Sequence, residues 1–470
     1  MNTLFADHAL LPDGWAREVL LAWDDAGALT SVTANATARA DTMRANGPLL
    51  PGMPNLHSHA FQRAFAGLSE YRSSSRPSSS GLSDSADSFW TWRELMYRFA
   101  RDISPDQLEA IATQLYIEML RAGYTAVCEF HYLHHAPDGQ RYADPAEMSM
   151  RLLAAAQRAG IGITLLPVLY QDAGFGGQPP RADQRRYLNR TDALLDIAQR
   201  IHAQGVRVGV APHSLRAVGP QALSEIVAGL HAIDARAPVH IHIAEQQQEV
   251  DDCVAWSGRR PVEWLLANAP VDARWCLVHA THMSDAERYS LAANGAVAGL
   301  CPTTEANLGD GAFPADEYVA AGGAWGIGSD SHVSVDAAEE LRLLEYTQRL
   351  AKQRRNVLAS DAIGANSKRQ VADHLWLGAV AGGAQASGRA IRGLTVGQQA
   401  DFVVLDGSGV LAGLAPSGAL ASHVFANQGR SAVRDVFVAG NQRIRDGEHA
   451  LQRAACERFV AARGELLREV

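Results

Sequence analysis

Lysine is almost absent from this chain: Lys352 and Lys368 are the only two in 470 residues, and the rest of the 42 basic side chains are arginine. A genome bias accounts for that blandly, but it leaves almost no lysine for chemistry. Basic tracts are also missing, and the net charge is −9, which excludes nucleic-acid binding driven by phosphate neutralisation. No apolar run approaches the roughly 20 residues that span a bilayer, so no membrane partner is expected. The start, MNTLFADHALLPDGW, carries acids early and has no basic stretch followed by an apolar one, so no secretory signal is read there. The five cysteines (Cys128, Cys253, Cys276, Cys301, Cys456) are scattered and form no CxxC pair. That excludes a disulfide framework and a zinc knuckle and indicates a reducing cytoplasm. What remains is globular composition, 47% hydrophobic and 20% charged, long enough for a large core.

Residues 1–50 read as short strands, Leu4–Leu11, Ala16–Trp23 and Leu29–Ala34, parted by turn residues. From Leu56 to about Val380, apolar β runs alternate with helical segments. The plainest helix is Pro105–Ala122, with Ser104 as N-cap, proline at its first position, Gln107 closing a capping box and Gly123 ending it. The β runs are the one before His57, then Tyr124–Phe130, Gly162–Leu169, Val206–Ala211, Pro238–Ile243, Trp275–His279, Ala296–Leu300 and Ala324–Gly328. Eight β/α units of this length, with no dinucleotide-binding glycine fingerprint, predict an α/β fold, a TIM-like (β/α)8 barrel, over residues 51–387. Strand patterns return at Asp401–Leu405, His423–Phe425, Val433–Val438 and Gln442–Arg445. They pair residues 388–447 with residues 1–50 as a small composite β-sandwich domain, and Glu448–Val470 reads as a C-terminal helix. The polar stretch Ser73–Ser88 is expected to be a mobile loop, an incidental insertion in preference to a lid.

Histidines mark the predicted strand ends. His57 and His59 stand at i and i+2, on one face of a strand, and His240 and His242 repeat the arrangement. His279 ends its strand and Asp330 follows the last one. A single such histidine is commonly structural; the set, on the rim where barrels carry their chemistry, points to a metal centre. His57, His59 and His242 offer three neutral nitrogens suited to zinc. Asp330 adds an anionic contact and can take a proton from activated water. His240 lies two residues deeper and reads as packed.

This pattern resembles the amidohydrolase superfamily, and the segment Gly393–Gly397 with Ala400–Leu405 resembles its closing β segment. Two-metal members bridge their ions with a lysine or glutamate from strand four. Here Val210–Ser214 contains neither, so the resemblance implies one divalent cation, zinc. Single-metal deaminases of this kind place a Glu just after the strand-five histidine, which falls on Glu245. The resemblance then makes Glu245 the acid for the leaving nitrogen, His279 a polarising group and Asp330 the base. Within the superfamily, Pro54–Arg63, Phe89–Arg93, Glu129–Tyr132 and Ala211–Arg216 resemble the formimidoylglutamate deiminase family. That family hydrolyses N-formimino-L-glutamate to N-formyl-L-glutamate and ammonia in histidine degradation. It implies substrate contacts at Gln62, Arg93, Tyr132, His213 and Arg216, the arginines serving a dicarboxylate. A homodimer is common for such barrels, though no sequence feature marks one.

Three readings stay open at this level. A heterocycle deaminase acting on guanine-like rings would favour stacking aromatics over paired arginines. A non-catalytic barrel is disfavoured by the full set of ligand and acid positions. Glu305 and Asn307 could meet the substrate, and His131, His134 and His135 form either a second metal site or, preferably, a hydrogen-bonded loop.

Overall fold

A computed structural model describes residues 2–40, 42–70, 89–359, 370–427 and 431–469; the Ser-rich stretch 73–88 read above as a loop lies outside them. Its centre is a ring of parallel strands. Met53–Ser58, Tyr124–His131, Gly162–Leu169 and the paired fragments Arg207–Val208 and Ala211–Pro212 form a five-stranded sheet. Val239–Ile243, Trp275–His279, Val297–Leu300 and Ala324–Ile327 form a four-stranded one. Two parallel bridges, Val210 to Val239 and Ser58 to Asp330, join the sheets at both edges and close them into a barrel. The fold is therefore the (β/α)8 barrel expected.

Local chemistry explains the elements. Most barrel strands are buried along their whole length, as befits strands with the barrel interior on one face and helices on the other. The helix Pro105–Arg121 starts as foreseen: Ser104 accepts from the Gln107 N–H, and the Gln107 side chain accepts from the Ser104 N–H. At the seam between the last and first strands, a Cβ on Gly328 would stand 2.7 Å from the His57 nitrogen. Only glycine lets these two backbones approach so closely.

Both ends of the chain build one nine-stranded sheet, in which Leu49–Pro51 lies between Asn2–Leu11 and Phe402–Leu405. Alternation divides its faces: Leu49, Phe402 and Val404 join a small core of their own with Trp23 and Phe437, whereas Leu50, Val403 and Leu405 join the main core. Two expectations are corrected here. His423–Phe425 is no strand but the end of the helix Pro416–Phe425, begun by a proline at its first position. Glu448 does not begin the terminal helix: Glu448–His449 pairs with Asn441–Arg445, and the helix is Gln452–Glu469.

Candidate active site

Strand one ends in a clamp. The Ser58 hydroxyl donates to Glu129 Oε2 at 2.6 Å, the Ala60 N–H donates to Oε1 at 2.7 Å, and Tyr116 adds a third donor at 3.1 Å. These bonds fix the backbone on both sides of His59, while Asp330 and His57 exchange a backbone hydrogen bond of 3.0 Å across the seam. His57 and His59 are thereby held beside Asp330.

Three imidazoles converge. His59 Nδ1 donates to the Phe130 carbonyl at 2.7 Å and His242 Nδ1 donates to the His213 carbonyl at 3.2 Å. Each Nε2 is then a bare lone pair, yet they stand 3.2 and 3.0 Å from the Nε2 of His57. Lone pairs aimed at one another repel unless a cation lies among them. Asp330 Oδ1 closes the group at 3.5 Å from His57 and 3.3 Å from His59. Burial holds the His57 imidazole down to about 3 and His242 well below its usual value, so both are neutral at physiological pH. The four residues expected as ligands are brought together, and as three imidazoles with one carboxylate they fit a divalent metal.

His279 and Glu245 lie beside them. The His279 Nε2 is 3.6 Å from Glu245 and 3.8 Å from Asp330 Oδ2, and its Nδ1 lies 3.3 Å from Glu305. Burial alone would lower the His279 pKa, but the surrounding carboxylates of Glu245, Glu305 and Asp330 outweigh it and raise it to about 10. Burial pushes Glu245 up to about 7. Burial would raise Asp330 too, but its bond to His57 and the nearby imidazoles hold it below the usual carboxylate range. Ala244, His279, Ala280, Asp330 and His332 all take left-handed φ angles between 42° and 67° at these strand ends. Such backbone costs on the order of 1–3 kcal/mol per residue and gathers at functional sites.

A cavity opens above these groups. It is lined by Gln62, Arg93, Tyr132, His213 and Arg216, all five residues expected to meet a substrate, together with His59, His242, Glu245, His279 and Asp330. Its remaining wall is aromatic and was not foreseen: Phe89, Trp92 and Tyr97 with Met96, then Tyr170 and Tyr187. The signal for the first group was present, since positions 89, 92, 93, 96 and 97 share one face of the helix Phe89–Asp102. Asp310 was also missed. It is buried within reach of Glu245 and His279, and accepts from the Gln246 side chain.

Other candidates fall outside the cavity. Glu305 accepts from the Cys301 N–H at 2.9 Å and orients His279, and Asn307 bonds Glu70 at the surface. Arg63 turns away to Glu118 and to the His332 carbonyl. His240 donates to the Ala386 carbonyl at 2.8 Å, in the packed position its depth suggested. His131 pairs with Ser149, while His134 and His135 donate to the Val168 and Leu188 carbonyls; among the described residues the three join no metal-competent group.

Comparison with known proteins agrees with this picture. Residues 49–443 match the Amidohydrolase family, and residues 1–46 match the N-terminal domain of formimidoylglutamate deiminase HutF. The chain is 53% identical to the formimidoylglutamate deiminase of Pseudomonas aeruginosa, over 99% of this chain and 100% of that one. Among solved structures, an amidohydrolase from Brucella melitensis is 47% identical with a TM-score of 0.90, covering 99% of this chain and 100% of its own. An adenosine deaminase from Xanthomonas campestris with bound zinc shares the fold at a TM-score of 0.78 and 22% identity, covering 99% and 98%.

Proposed function

This chain belongs to the amidohydrolase family, in its formimidoylglutamate deiminase branch, and from that we propose that it hydrolyses N-formimino-L-glutamate to N-formyl-L-glutamate and ammonia in histidine degradation. The observation that carries the reading is one cavity that holds both kinds of group. Arg93 and Arg216 line it together with Glu245, His279 and Asp330. A dicarboxylate with a formimino group at one end needs both.

His57, His59, His242 and Asp330 would hold one divalent metal, and three imidazoles with one carboxylate suit zinc. When bound, the cation supplies the Lewis acidity that makes water a nucleophile near neutral pH. Asp330 turns Oδ1 to His57 and His59 and Oδ2 to His279, which leaves this carboxylate placed to take a proton from the attacking water. His279, charged and fixed through Nδ1 by Glu305, steadies the attacking oxygen as the new C–O bond forms. Glu245, protonated below about pH 7, gives its proton to the imino nitrogen as the C–O bond forms. The proton held by Asp330 then passes to the resulting amino group, the C–N bond breaks and ammonia leaves, while the hydroxyl proton returns to Glu245 and the formyl C=O remains. Gln62, Tyr132 and His213 complete the substrate's seat with the arginines.

No helix among the described residues is long and apolar enough to cross a membrane, and the absence of paired cysteines supports a cytoplasmic location. The aromatic wall would also accept a flat heterocycle. The deciding experiment is therefore ammonia release by metal-replete protein from N-formimino-L-glutamate, N-formimino-glycine and guanine. Turnover confined to the first is expected; turnover of guanine alone would overturn the assignment.

A further inference from the structure

Gln184 is buried behind Tyr97 and Tyr170, two tyrosines of the cavity wall, and its amide has only one orientation its neighbours accept. The Arg181 backbone N–H points to Oε1 at 2.8 Å, and a peptide N–H can only donate, so that atom is the carbonyl oxygen. Nε2 then lies 3.2 Å from the Tyr97 hydroxyl and 2.8 Å from that of Tyr170, and donates to both. Each phenol accepts from Gln184, so its own hydrogen points elsewhere. One hydroxyl can donate to the other, since the two phenols also interact. The second is left for the cavity. Burial raises the Tyr170 phenol, which keeps it an O–H donor at any physiological pH.

The two phenols sit among the arginines. The Arg93 guanidinium stands over the Tyr97 ring, 5.6 Å from its centroid, and the charges of Arg216 and Arg93 both act on Tyr170. Two guanidinium groups and a donating phenol make a wall of donors, which fits a carboxylate. We propose that Gln184 is a positioning residue that, by donating to Tyr97 and Tyr170 together, leaves one of their hydroxyl hydrogens for the cavity, and that this donor completes, with Arg93 and Arg216, the seat of one substrate carboxylate. The proposal rests on the deiminase reading above.

The test uses full-length, metal-loaded protein carrying Gln184→Glu, Gln184→Leu, Tyr97→Phe or Tyr170→Phe. A glutamate at 184 would accept from the phenols and turn their hydrogens out of the cavity. We expect Gln184→Glu to raise KM for N-formimino-L-glutamate at least tenfold, with kcat changing far less. The Kd for the product N-formyl-L-glutamate, read by calorimetry, rises in parallel. Tyr170→Phe moves both in the same direction, and the double variant adds little to the larger single effect. The phenylalanine variants conserve shape, so they keep the test open should position 184 not tolerate change. Substrates lacking the α-carboxylate (N-formimino-γ-aminobutyrate) or the γ-carboxylate (N-formimino-α-aminobutyrate) show which group is held, because the penalty vanishes for one of them. An equal penalty on all three substrates, or a fall in kcat at constant KM, overturns the inference. Wild-type protein inactive on N-formimino-L-glutamate overturns the deiminase reading; active wild type with unmoved variants overturns only the role of Gln184.

Discussion

A neutral imidazole has one lone pair, and the bond made by its other nitrogen decides where that pair faces. Phe130 and His213 make this choice for His59 and His242 through their carbonyls, so the metal seat depends on backbone that the ligands themselves do not include. The acid is set differently. Glu245 lies 3.6 Å from His279, and burial raises it to about 7, so a large share of it keeps its proton near neutral pH. Replacing Glu245 by Gln keeps the shape and removes the transferable proton. Metal content by elemental analysis should be unchanged while kcat falls about a hundredfold or more, the usual contribution of a positioned acid. Unchanged turnover would remove Glu245 from the mechanism. Arg216 is buried 4.0 Å from Glu249 and faces the cavity. Its loss in Arg216→Ala should raise KM for the dicarboxylate by about ten- to a hundredfold, the worth of a charged hydrogen bond, with metal content intact. A variant that lost metal instead would place Arg216 in the wrong part of the site.

At the scale of elements, the seam between strands eight and one is a tightly constrained joint of the barrel. A Cβ on Gly328 would meet the nitrogen and carbonyl oxygen of His57 at 2.7 and 2.9 Å, so Gly328→Ala must push apart two strands that carry His57, His59 and Asp330. Reduced zinc affinity together with a lower Tm is expected, by an amount typical of overpacking, about 1–3 kcal/mol. Full metal retention at an unchanged Tm would show the seam to be yielding. Elements of this joint were legible beforehand because buried strands are short apolar runs with sharp ends: Gly162–Leu169 and Trp275–His279 are found where the residue pattern puts them. His423–Phe425 was misread for the same reason, since a short apolar run carries no period to tell strand from helix. The ligand positions were legible as strand-end histidines. Tyr187, Gln184 and Asp310 were not, because they lie in segments between the barrel elements that no local spacing ties to the site, and Tyr170, the residue after the strand Gly162–Leu169, stands on the rim without a ligating group to mark it.

Across the whole molecule, buried titratable groups pull stability in opposite directions with pH. His134, His240 and His423 lie outside the metal seat, and burial holds them at about 3, 4 and 4. The unfolded chain takes up their protons near pH 6.5, the folded one does not. Their contribution is therefore full above pH 6.5 and is lost as the pH falls below it, at about 1.4 kcal/mol per pH unit for each. Glu129 and Glu245 have the contrary sign. Burial raises both to about 7, so the folded state holds protons that the unfolded chain releases near 4.5, and acidification through that window stabilises the fold. Other buried groups act on both sides, His131 and His332 lowered and Asp310, Glu340 and Asp401 raised. The share of the buried imidazoles is a loss of stability in the metal-free protein from pH 6.5 to 5. His240 offers the cleanest check, because His240→Gln retains a donor for the Ala386 carbonyl but cannot take up a proton. Urea unfolding at pH 7, 6 and 5 should show a shallower decline for this variant than for the wild type. Parallel curves would mean that the His240 imidazole titrates alike in both states, and the buried histidines would then have no part in the acid response.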